Sequence, residues 1–102
     1  MIECIGVQER KGSFQDDKGR EVEYDNVMLY YVTNDNPDIL GYFGKEMKVN
    51  NKKVEKINFK NWEECIGKVL DFHYNMFGTT PTLDGIKIVG DGKVTKFLQS
   101  ID

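Results

Sequence analysis

Short apolar stretches alternate with glycine and Asn/Asp clusters along the whole chain, a rhythm of strands and turns rather than of long helices. Ile2, Cys4, Ile5 and Val7 predict a first strand over residues 2–9, continuing through Phe14 with a bulge or bend at Gly6 or Gly12. The run Gln15-Asp16-Asp17-Lys18-Gly19 is a turn with glycine available for a positive φ. A long strand follows over 20–33. It places Val22, Tyr24, Asn26, Met28, Tyr30 and Val32 on one face and Glu21, Glu23, Asp25, Val27, Leu29, Tyr31 and Thr33 on the other. Its first half alternates apolar with acidic, and its second half is apolar on both faces. The pattern leaves open which face is inside. After the loop 34–38, residues 39–49 read as a third strand broken by Gly41 and Gly44, and residues 54–59 as a short extra one.

Around Trp62 the pattern changes. Asn61 can cap a short helix, Glu63 and Glu64 sit in its first turn, Trp62 and Ile66 share one side at i, i+4, and Gly67 can close it. Strands over 68–77 and 83–89 complete the series. Val94, Phe97, Leu98 and Ile101 are spaced for a docked helical tail over 93–102. One domain spanning 1–102 is the natural count. The order of strands with a short helix between strands 3 and 4 fits a mainly β, OB-like, five-stranded, partly open barrel. An SH3-like barrel or a small α+β sheet would give a similar string.

The 102 residues are 39% hydrophobic and 30% charged, the composition of a globular chain, with Cys4 and Cys65 as the two cysteines. These form no CxxC and no metal-ligand set, and read as reduced thiols filling core space. No apolar run reaches the length of a membrane helix, and the N-terminus lacks the basic start of a signal peptide, so a cytoplasmic location is expected. The net charge of −3 argues against a crude basic nucleic-acid binder, but its distribution is uneven. Between Lys45 and Lys60 six lysines face two acids, a local charge of +4, while acids crowd residues 16–25.

Catalytic signals are sparse. His73 is the one histidine; Asp71 lies on the same face of its strand, but no serine or cysteine stands in an elbow beside them. Gly85-Ile86-Lys87 lacks the spacing of a P-loop, and Gly90-Asp91-Gly92-Lys93 is a glycine turn. The oxygen-rich segment Asn34-Asp35-Asn36-Pro37-Asp38 lacks the glycine and terminal glutamate of a calcium loop. No cofactor, no metal and no enzymatic activity are expected. Aromatic residues carry the stronger signal. In the neighbouring pairs Tyr30–Tyr31, Tyr42–Phe43 and Phe72–His73 one ring must point outward if the segment is a strand. Outward rings beside lysines are what single-strand binders use, with bases stacking on the rings and lysines neutralising the backbone. Tyr31, Tyr42, Phe43, His73 and Tyr74 are the candidates for stacking, and Lys45, Lys48, Lys52 and Lys53 for phosphate.

Three stretches carry a family resemblance: Asp17-Lys18-Gly19-Arg20-Glu21-Val22-Glu23-Tyr24 leading into Tyr30-Tyr31-Val32, then Phe77-Gly78, then Leu83-Asp84-Gly85-Ile86-Lys87-Ile88-Val89. In this pattern of strand edges the chain resembles the small single-stranded DNA-binding proteins of phages and conjugative elements, the gene V type, over residues 2–89. It departs in the tryptophan-bearing 61–67 segment, the net acidic charge and the longer tail. The resemblance implies a protein that coats or guides a displaced strand during replication or transfer without hydrolysis, often as a homodimer. Single-stranded DNA is then the expected partner, with RNA left open and no membrane. The rival expectation is a protein-interaction or assembly module of such an element, its outward rings forming an interface.

Overall fold

The computed structural model describes residues 1–76 and 78–95. It is 59% strand and 6% helical. In chain order the elements are β1 (Ile2–Gln15), β2 (Glu21–Thr33), β3 (Phe43–Asn50), β4 (Lys56–Ile57), a single 3-10 turn (Trp62–Cys65), β5 (Lys68–Asn75) and β6 (Thr82–Asp91). They form one six-stranded sheet in the order β3-β2-β1-β5-β6-β4, antiparallel except where β4 runs parallel to β6. The sheet is not closed: β3 and β4 stand at its two ends. The expected five strands are therefore six, and the short helix lies between β4 and β5, because the short strand after Asn50 is a pairing strand in its own right.

β1 and β2 pair along their whole length, Ile2 opposite Thr33 through Gln15 opposite Glu21. A register shift between Cys4 and Gly6 makes Ile5 the extra residue, so Ile2 and Cys4 before it and Val7 after it all face the same side. That side meets Val27, Leu29, Tyr31 and Thr33, which settles the orientation of β2: from Val27 onward its odd-numbered residues are inside and buried. β1 pairs with β5 only at Ile2 and Glu3, and β3 pairs with β2 only from Asn26 onward. Among the described residues, 10–15 and 21–25 are thus a two-stranded arm with no third strand beside it. At its tip the Asp16 carboxylate accepts the backbone N–H of Lys18 and Arg20, and Gly19 takes a φ of 77°.

The core gathers Cys4, Val27, Leu29, Tyr31, Val49, Leu70 and Ile86 from five strands with Val54, Phe59, Trp62 and Cys65 from the segment between β3 and β5. Phe59 meets Trp62 edge-on with ring centroids 5.0 Å apart. The Trp62 turn begins as expected at Asn61, where the Glu64 carboxylate accepts the Asn61 and Lys60 N–H, and ends at Gly67 with φ 81°. Ile66, however, is exposed. The segment has three residues per turn rather than 3.6, and Ile66 is already extended, so Cys65 joins Trp62 inside. The third strand also starts later than its apolar residues imply. Gly41 takes a φ of 85° and residues 39–42 stay in an exposed loop.

Both cysteines are free and buried as expected, and burial pushes their thiols up to about 11 for Cys4 and about 12 for Cys65. The start of the tail at Val94 and Thr95 is helical and docks through Glu3. The expected helix positions Phe97, Leu98 and Ile101, and Phe77, lie outside the described residues. No helix among the described residues is long and apolar enough to cross a membrane.

Candidate nucleic-acid interface

The sequence-derived candidates separate into two groups. At the end of the sheet where β2 runs into the 34–42 loop, Tyr31, Phe43, Lys45 and Tyr74 come together. Tyr31 pairs with Lys45 across β2 and β3, and its ring meets Phe72 edge-on with centroids 5.8 Å apart. Burial, with the neighbouring Tyr74 and Asp35, raises the Tyr31 hydroxyl above its ordinary range. Tyr31 is only 7% exposed, so it is a core ring and offers no face to a base. Phe43 is half-buried with the Lys45 ammonium 5.5 Å from its ring centroid, while Tyr42 and Tyr74 are exposed.

The second group lies at the other end of β3. Lys48 on β3 and Lys52 in the following turn line one groove with Tyr24, Asn26 and Asn50. Lys52 also borders a cleft formed by Lys11, Gly12, Ser13 and Tyr24 on the arm. On its opposite side Lys52 joins Lys53 and Lys56 around a third cleft, whose far wall is Asn75, Thr82 and Asp84 of the β5–β6 hairpin. One lysine thus stands between the arm and that hairpin. Acids border the same path: Glu23, Asp25, Glu55 and Asp84. Two of them are engaged. Asp25 accepts the Asn51 side-chain N–H at 2.7 Å, and Asp84 holds His73 Nδ1 and lies 3.5 Å from Lys56 Nζ.

His73 therefore finds its carboxylate across the sheet, on β6, and not on its own strand at Asp71. The hydrogen bond from His73, the histidine charge and Lys56 together hold the Asp84 carboxyl below its usual range, against a smaller opposing effect of burial. No thiol serves as a nucleophile for this pair, since Cys4 and Cys65 are buried and their thiols raised. Among the described residues no group of three or more His, Cys, Asp or Glu is placed to hold a metal ion.

The arm supplies rings the sequence reading did not select. Phe14 and Tyr24 lie on one face with centroids 6.3 Å apart, and both are exposed. Tyr24 lies across Gly12, where a Cβ would come within 2.6 Å of its hydroxyl. Glycine opposite an aromatic residue in a paired ribbon was the available signal: the ring covers the bare backbone. Lys56 and Asp84 were missed because β4 is only two residues long and its parallel partner is far along the chain.

No family model, curated protein or solved structure matches this chain. The gene V-type resemblance rests on the strand-edge pattern alone.

Proposed function

We propose that the chain is a non-catalytic single-stranded DNA-binding protein on an opened OB-type barrel. The strand order supports the fold reading. β3 and β4 are consecutive and separated only by the turn after Asn50; taken as one interrupted strand, they join β2 on one side and β6 on the other. The ring then runs through five strands with the Trp62 turn between the third and fourth. In such barrels the strand 2–3 face and the loops joining strands 1–2 and 4–5 take the oligonucleotide. Here those are the Lys48–Asn50 face, the arm and the β5–β6 hairpin.

One observation carries the functional reading: Lys52 borders both the Tyr24 cleft on the arm and the Lys53–Lys56 cleft against the hairpin. A single strand laid along that path meets lysines for its phosphates and the exposed Tyr24 and Phe14 rings for its bases. Stacking of this kind contributes about 1–3 kcal/mol per base. Anisotropy of a labelled oligo-dT at rising salt, with RNA and duplex of equal length alongside, tests it. Binding to the single strand should be lost with salt, and Lys52→Ala/Lys53→Ala should reduce the salt slope by about 0.7 per contact removed. Tyr24→Ala should weaken binding about tenfold, as loss of one stacked base predicts. Equal binding of duplex and single strand, or an unchanged slope, overturns the assignment.

A protein partner is the second reading, favoured by the 34–42 loop. Leu40 is 97% exposed there, beside exposed Ile39 and Tyr42. Absence of single-strand binding at every salt concentration would move the function to that loop.

A further inference from the structure

We infer that the free edge of β3 is a homodimer interface, on which a second copy of the chain pairs antiparallel about a two-fold axis at Met47. The inference does not depend on the nucleic-acid reading. Among the described residues β3 stands at one end of the sheet and pairs with β2 alone, from Phe43 opposite Thr33 to Asn50 opposite Asn26, without a register shift. An edge of eight residues is long, and edges are usually guarded by charges, lysine above all, by proline, by a bulge or by a covering element; the charges here, Lys45, Glu46 and Lys48, are of both signs. The strand Phe43-Gly44-Lys45-Glu46-Met47-Lys48-Val49-Asn50 has no proline, its pairing has no bulge, and Gly44, Lys45, Glu46 and Lys48 are exposed.

The order of charges chooses the occupant and the register. Residues directly opposite in an antiparallel pair share a face. Two identical strands paired in this way are related by an axis normal to the sheet, which must pass beside one residue and its own copy. With the axis at Met47, Glu46 lies opposite the partner's Lys48 and Lys48 opposite the partner's Glu46. The two methionines then meet on the face that packs against the core. Moving the axis one residue either way brings Glu46 onto its own copy or Lys48 onto its own copy, and at Lys45 two lysines meet. Like charges directly opposite are destabilising and unlike ones stabilising. Among these registers only the Met47-centred one is self-complementary.

Sedimentation velocity on the full chain across a dilution series at low salt is the test. The wild type should dimerise, and added salt should weaken the dimer. Glu46→Lys places lysine opposite lysine twice, and Lys48→Glu places glutamate opposite glutamate twice. Each variant should self-associate at least about tenfold more weakly. An equimolar mixture of the two variants restores both unlike pairs and should dimerise again. A second measurement needs no variant: exchange of those alternate β3 amides between Gly44 and Val49 that point away from β2 should accelerate on dilution of the wild type. A wild type that stays monomeric up to about 1 mM overturns the inference. So does a dimer indifferent to both charge reversals, or exchange of those outward β3 amides that ignores concentration.

Discussion

Replacing Glu3 by glutamine removes one atom's worth of chemistry from the place where β1 meets residues 93–95. Glu3 lies on the face of β1 opposite Cys4 and is fully buried. Its Oε1 accepts the backbone N–H of Lys93 at 2.6 Å and of Val94 at 3.0 Å. Its Oε2 accepts the Thr95 N–H at 2.6 Å and the Thr95 hydroxyl at 2.5 Å. Gly92 packs so closely that a Cβ there would fall 2.2 Å from the Glu3 carboxyl carbon. A glutamine of the same shape keeps one accepting oxygen and turns an NH2 toward donors. The Thr95 hydroxyl can rotate to accept, but one backbone N–H is left without a partner, and the remaining bonds lose their charge. An orphaned buried donor costs about 1–3 kcal/mol, and the two backbone bonds left on Oε1 together lose about 1 kcal/mol of charge assistance, so Glu3→Gln should destabilise by about 2–4 kcal/mol at pH 7. For a chain of this length that lowers the melting temperature by roughly 10–20 °C. Burial opposes ionisation of Glu3, yet the Thr95 hydroxyl and the three backbone N–H groups outweigh it and hold the carboxyl below its ordinary 4.5. Because the folded value is depressed, this stabilisation is present above the unfolded value and lost as pH falls through the folded one. Urea unfolding of both proteins from pH 7 down into acid should show a gap that is constant above the ordinary glutamate range and closes below it. A gap that persists unchanged in acid refutes the charge argument, and no gap at pH 7 refutes the latch altogether.

Two other features yield expected outcomes. Gly85→Ala on β6 should cost about 1–3 kcal/mol by urea denaturation, since the added Cβ meets the Lys56 carbonyl and Cβ at 2.9 Å and the His73 Cβ at 3.2 Å; a loss under about 0.5 kcal/mol would show that β4 moves aside freely. The native thiols should react with an aromatic disulfide reagent at pH 8 only as fast as the protein unfolds, because burial raises them to about 11 and 12; prompt labelling of either cysteine would contradict the burial of that thiol.

The sequence made the strands legible wherever alternation met a turn. β2 was readable because acidic and apolar residues alternate through Glu21–Asp25. The 16–20 turn was readable because Asp16 and Gly19 are the residues such a turn needs. The Trp62 turn was bounded correctly by Asn61 and Gly67. What stayed hidden depends on partners distant in the chain. Val27, Leu29 and Tyr31 are no more apolar than Met28, Tyr30 and Val32, and only the bulge at Ile5, which aims Cys4 and Val7 at the odd face, decides between them. That decision turns Tyr31 from a candidate binding ring into core. His73 chose Asp84 over Asp71 because a register shift between His73 and Tyr74 brings β6 into place, a feature with no local signature. Nothing next to Glu3 in the chain singles it out, since its four donors lie about ninety positions away.

The arm and the lysine turn are held by a device separate from the Glu3 latch. A two-stranded ribbon is marginal alone, and here Tyr24 across Gly12, the Phe14 contact and the Asp16 turn stiffen its outer end. Its base is tied differently. Asn51 donates its side-chain N–H to Asp25 and accepts the Trp62 indole N–H at 3.1 Å, and its backbone N–H reaches the Asp25 carbonyl at 3.1 Å. One residue thus fastens the end of β2's arm to the aromatic plug of the core, and the next residue along is Lys52. The amide that registers the arm also fixes the start of the lysine path, so Lys52 borders both clefts because Asn51 leaves it no other place. Lys52 and Lys53 themselves are exposed and their side chains make none of these bonds, so substituting them tests contact with a strand without disturbing the device that presents them.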